Sequence, residues 1–182
     1  MPMLEQRIQQ QFFESADLLS QTAEALSKPI ADAAQALLGC ITAGGKVMLC
    51  GSGPAAVLAQ HGAALMVGRF ERERPGLAAL AISGEAEVQA LGAPGDVLLA
   101  ISAGSPTAGL SATVLAAQSK DMTVVALTGR DAGSLPALLS ETDVHIAVPH
   151  ERAARIHEAH TLVVHCLCDA VDLQLLGEQD PT

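Results

Sequence analysis

Residues 46–70, KVMLCGSGPAAVLAQHGAALMVGRF, set the architecture of this chain. Val47–Cys50 is a short apolar run with the length of a buried strand. Gly51-Ser52-Gly53 is a glycine-bracketed turn. Pro54 suits the first position of a helix, where its missing N–H is a donor that would go unpaired anyway. The apolar stretch that follows runs to about Val67, so the unit reads strand, tight turn, helix. The free N–H groups and the positive dipole end of that helix point out of the turn, which suits an anion such as phosphate. His61 lies about two turns into the helix.

Before this unit, Leu4, Ile8, Phe12, Ser15, Leu19, Thr22 and Leu26 recur at helical spacing with Gln, Glu and Arg between them. The pattern predicts an amphipathic helix of about six turns. It precedes every strand, so it is not a crossover helix, and its apolar stripe must dock on the sheet's helices or on a second subunit. Ser27 reads as the N-cap of a second helix over Pro29–Thr42, ended by Gly44-Gly45. Residues 1–45 are thus expected to be N-terminal helices serving oligomerisation, part of the same domain as residues 46–182.

After it, the charged segment Arg69–Arg74 and Pro75-Gly76 make a surface turn. Leu77–Ile82 predicts a second strand and Glu85–Leu91 a short helix. The rhythm then repeats: strand Val97–Ile101, turn Ser102-Ala103-Gly104-Ser105, helix from Pro106 to about Ser119. Strand Thr123–Leu127, a turn over residues 128–133, a short helix to Leu139 and strand Val144–Val148 follow. The last element, Glu151–Leu176, predicts a helix of about 39 Å. It is apolar on most faces, which calls for burial, here by other subunits. The polar tail, Gly177–Thr182, is expected to fray. Five continuous apolar strands alternating with helices predict an α/β fold, a single-domain parallel five-stranded sheet covered by helices on both faces. Ligands in such folds sit beyond the carboxyl ends of the strands, where both small-residue turns fall.

Composition narrows the function. At 182 residues and 49% hydrophobic, the chain has room for one sizeable core, and with no Trp or Tyr and three Phe that core must be aliphatic. A net charge of −10 without a basic cluster argues against a direct nucleic-acid grip. The polar N-terminus does not resemble a signal peptide, and no uninterrupted apolar stretch approaches the roughly 20 residues of a membrane span. Cys40, Cys50, Cys166 and Cys168 read as reduced, and the expected compartment is cytoplasmic.

Gly51-Ser52-Gly53-Pro54-Ala55-Ala56 also fits the dinucleotide pattern G-x-G-x-x-A. The acid expected after the next strand is missing there, since Ala81-Ile82-Ser83 precedes the first acid, Glu85. A different likeness covers nearly the whole chain. The stretches AQHGAALMVGRFERERPGLAALA (59–81), GAPGDVLLAIS (92–102), VVALTGRDAG (124–133) and ARIHEAHTLVVHCLCDAVD (154–172) resemble the sugar isomerase (SIS) domain family, in the branch of phosphoheptose isomerase and the DnaA-initiator-associating protein.

The resemblance implies a homotetramer with sites between subunits, two phosphate-cradling turns and, in the isomerases, a metal near the sugar. In the first turn the family is close to G-N-G-G-S-A, and its serine is Ala55 here, leaving Ser52 and Gly53. In the second it is close to S-T-S-G-N-S-P, and Ser102, Ser105 and Thr107 remain as donors to a phosphosugar. The same hydroxyls also suit turn chemistry and helix capping. His61 and His165 match family histidines. The family's glutamate one turn after His61 is Leu65, and its glutamine eight residues before His165 is His157. His61, His157 and His165 are therefore candidate ligands of a zinc ion, with solvated or core-satisfied histidines as the alternative. His145, His150 and His160 read as structural or surface residues. The link Ser83–Gly95 is shorter than the family's.

Three functions stay open. The leading expectation is a catalytically degenerate tetrameric regulator that presents repeated surfaces to a DnaA-type partner. The second is a phosphoheptose isomerase, converting sedoheptulose 7-phosphate to D-glycero-heptose 7-phosphate with His165 as base. The third is a module that binds phosphosugar without chemistry.

Overall fold

The computed structural model describes residues 2–178, so the last residues of the expected frayed tail, 179–182, lie outside it. Five strands, β1 (Val47–Gly51), β2 (Ala79–Ala81), β3 (Val97–Ile101), β4 (Thr123–Thr128) and β5 (Val144–Ala147), form one parallel sheet in the order β2-β1-β3-β4-β5. The helices are α1 (Pro2–Thr42), α2 (Ala55–Val67), α3 (Glu85–Leu91), α4 (Ala108–Ser119) and α5 (Ala153–Leu176). The expected helix after β4 is a single 3₁₀ turn, Leu135–Leu138.

Alternation along the strands sorts the core into two layers. Val47, Leu49, Val97 and Leu99 face α2, α5 and the C-terminal half of α1. Met48, Cys50, Leu98 and Ala100 face α3 and α4. Strand order reverses between β1 and β3, and the crevice beyond their carboxyl ends is where this topology places a ligand. At the opposite edge Asp96 is buried and accepts from Lys46 Nζ at 2.5 Å, Lys46 N at 2.9 Å and Ala93 N at 2.9 Å, closing the amino ends of β1 and β3.

The expected break at Ser27 does not occur. α1 is one helix of 41 residues with Pro29 inside it, and the Ser27 hydroxyl donates to the Ala23 carbonyl instead of capping. Packing overrides the local stop signal: Ala33, Ala34 and Leu37 are buried beyond the proline, and Leu26 and Ile30 pack on the same core. Leu4, Ile8, Phe12 and Phe13 near the start of α1 are exposed, while from Gln11 onward the helix is tied to α5, with Arg155 Nη1 donating to Gln11 O and Ser15 Oγ at 2.6 Å and Leu18 buried. α4 begins two residues after the expected Pro106, because Thr107 caps it by accepting from Leu110 N at 3.2 Å. α5 is long and apolar enough to cross a membrane by length and composition. One face of it is in the core, and it packs against α1 and α2. All four cysteines are free, and burial pushes the Cys50 and Cys168 thiols up to about 12.

Candidate active site

The two turns meet at the switch point. Gly51 lets the chain double back: a Cβ there would fall 2.2 Å from the Ala55 carbonyl group. Gly53 sits at φ +56°, in the left-handed region that favours glycine. Ser52 N donates to Ile101 O at 2.9 Å, and Ser52 Oγ lies 3.5 Å from Thr107 Oγ1. The hydroxyls of the β1–α2 and β3–α4 corners thus face each other across the crevice. The other serines are committed to the protein. Ser102 is buried and donates to Gly104 O at 2.8 Å, and Ser105 donates to Asp131 Oδ2 at 2.9 Å. In this chain those two hydroxyls do turn chemistry, while Ser52 and Thr107 stand at the mouth.

From Pro54 a cavity of about 380 Å³ runs along α2, lined by Val57, Leu58, His61, His157 and Thr161. At its rim His61 Nε2 and His165 Nε2 are 3.0 Å apart, with the ring centroids at 5.3 Å in an edge-on arrangement. A contact this short between two ring nitrogens is a hydrogen bond in which one imidazole donates and the other accepts. Phe70 closes over His165, with centroids 5.5 Å apart. Leu65 is partly buried and packs on the core, so no carboxylate stands one turn beyond His61.

The other histidines hold the carboxyl end of β4 and the approach to α5. His160 is fully buried and its Nε2–H donates to Thr128 O at 3.0 Å; burial pushes its pKa down to about 4. His145 Nε2 is 2.9 Å from Thr128 Oγ1, and burial lowers its pKa too. His150 Nδ1 accepts from Arg152 N at 3.0 Å.

The zinc ion that the resemblance implies finds imidazole donors of the right type but not a gathered set, with His61 and His157 on the cavity and His165 meeting His61 beside it. Among the described residues, no three His, Cys, Asp or Glu side chains are gathered closely enough to hold a metal ion.

Sequence reasoning missed Arg74 and Asp172, which join α2 to α5 beneath this site through a 2.5 Å ion pair, both side chains 1% exposed. Asp172, an acid flanked by Val171 and Leu173 in α5, was the available signal.

A sequence profile of the family described as SIS domain matches residues 11–93. A protein of Methylibium petroleiphilum called phosphoheptose isomerase is 62% identical over 200 aligned residues, covering all of both chains. Among solved structures, the phosphoheptose isomerase of Neisseria gonorrhoeae superposes with a TM-score of 0.87 at 38% identity, over 93% of this chain and 98% of that one. The phosphoheptose isomerase of Francisella tularensis gives 0.88 at 36% identity, over 94% and 99%.

Proposed function

This chain belongs to the SIS-domain family, in the phosphoheptose isomerase branch, and from that membership we propose that it interconverts sedoheptulose 7-phosphate and D-glycero-heptose 7-phosphate. The observation that carries the reading is the 3.0 Å contact between His61 and His165 beside the paired corners.

Aldose–ketose isomerisation needs a base within reach of the proton on the carbon next to the carbonyl, and a return of that proton to the neighbouring carbon. His165 is that base. Its contact with His61 aims the ring, and in the tautomer in which His165 Nε2–H donates to His61 Nε2 the Nδ1 of His165 is left free as the base. Ser52, the backbone at Gly53, and Thr107 take the phosphate. Thr107 Oγ1 already accepts from Leu110 N, so its own O–H is free to donate. His61 and His157, which line the cavity, are the residues left to hold zinc when His165 serves as base, and zinc bound there would polarise the sugar carbonyl. Several apolar side chains of α1 and α5 are exposed, which supports a homotetramer as the working unit, and the free thiols support a cytoplasmic setting.

The decisive test is an isomerase assay on sedoheptulose 7-phosphate with added zinc. Wild type is expected to turn over, and His165→Ala to lose at least about 100-fold. Equal rates at background would remove the activity. Leu65 favours a second reading, a scaffold without catalysis that engages a DnaA-type partner or only binds phosphosugar. Whole-length relatives called phosphoheptose isomerase favour the enzyme instead. Retention of such a partner in a pull-down by a chain inactive on the sugar would reverse that preference.

A further inference from the structure

We propose that Arg74 and Asp172 are a positioning pair, which holds His61 against His165 by locking the end of α2 to α5. Only the kinetic part of the test rests on the isomerase reading.

α2 has no basic residue in its last turn to meet its free carbonyls. Gly68 N takes Ala64 O at 2.9 Å and Leu77 N takes Met66 O at 2.9 Å. Arg74 does the rest from the following loop. Its Nη2 donates to Leu65 O at 3.1 Å, and its Nη1 to Met66 O at 2.9 Å and to Gly68 O at 3.2 Å. Its Nε donates to Asp172 Oδ1 at 2.5 Å. One buried guanidinium therefore caps α2 and ties it to α5. Asp172 Oδ2 has no hydrogen-bond partner among the described residues, so the carboxylate is held in the fold through Arg74.

The lock lies close to the histidines. His61 is one turn before Leu65 on α2, and His165 two turns before Asp172 on α5. Beside the histidines the helices touch at Gly62, where a Cβ would fall 3.2 Å from Val164 Cγ1 and 2.8 Å from Leu49 Cδ2. An exposed imidazole pair is too weak to hold two helices in register. A buried ion pair cannot part without leaving a charge uncompensated. The separation of the two ring nitrogens is thus set from below, by residues that never meet the substrate.

Asp172→Asn tests this, with Asp96→Asn as control. Asp96 is an equally buried carboxylate in the Lys46 pair at the far edge of the sheet. Both variants are expected to melt at lower temperature. Assayed below both transitions, Asp172→Asn should lose about 10- to 100-fold in kcat, with KM for sedoheptulose 7-phosphate within about twofold. Asp96→Asn should keep kcat. Arg74→Lys, which retains the charge but not the fork, should fall between. In a crystal structure of Asp172→Asn the two Nε2 atoms should stand more than about 3.5 Å apart. An unchanged 3.0 Å contact, or a kcat loss no greater than that of Asp96→Asn, overturns the proposal. A wild type inactive on the sugar would sink the isomerase reading alone, because the crystallographic separation is read without turnover.

Discussion

His160 shows how one side chain can couple the fold to pH. It is neutral in the core, with its Nε2–H on the Thr128 carbonyl, and burial keeps it so against the opposing pull of that bond. Its folded pKa, about 4, lies below the ordinary 6.5 of an unfolded histidine. The unfolded chain therefore binds the proton first. Stability is complete above pH 6.5 and drains away as pH falls toward 4, by on the order of 3 kcal/mol for this group alone. Urea unfolding at a series of pH values should show this acid limb, and His160→Gln, which can still donate to the Thr128 carbonyl, should flatten it. An identical limb in both proteins would assign the loss to other groups. Leu65 is the opposite case, a partly buried hydrocarbon one turn beyond His61. Under the proposed isomerisation a hydrocarbon there leaves proton transfer to the imidazoles, and His165→Ala is expected to be the most damaging single substitution in the site.

Among the elements, α1 departs most from its local signals. A proline in a helix interior removes one hydrogen bond and crowds the carbonyl four residues earlier. Here the helix continues through Pro29 because its flanks are anchored, Leu26 and Ile30 on one core and Leu37 deep within it. Pro29→Ala should therefore raise stability, by about 1–3 kcal/mol, read as a higher urea midpoint with an unchanged slope. A loss of stability would mean that the proline fits its site better than the helix geometry implies. The β1–α2 corner behaves differently. Its glycines and proline match the backbone they adopt, so the local signals and the fold agree, and the corner was legible at once.

For the molecule as a whole, the exposed apolar side chains near the start of α1 are the question that burial poses. Leu4 is 67%, Phe12 72% and Phe13 68% exposed on one chain. A groove of about 300 Å³ between α1 and α5, with an almost wholly apolar lining, lies on the same two helices. Apolar side chains at this density call for a partner surface. Light scattering on the purified protein should give the mass of four chains, and Phe12→Glu with Phe13→Glu should reduce it. A wild-type mass of one chain, 18.6 kDa, would refute the tetramer.

What could be read in advance was whatever neighbours along the chain dictate. Glu85–Leu91 and Val97–Ile101 were predicted with the bounds they have, because apolar runs, a glycine stop and a capping acid act within a few residues. Parallel pairing followed from strands apolar on both faces, and the crevice followed from the order of turns. The contacts that make the site chemical join residues far apart in the chain. His61 meets His165, Arg74 meets Asp172, and Asp131 draws Ser105 away from the mouth while Thr107 is left there. No periodicity or propensity specifies such meetings, since they depend on how two helices and two corners are placed once the core has closed. Local backbone preference wrote the elements; long-range packing chose which side chains would touch.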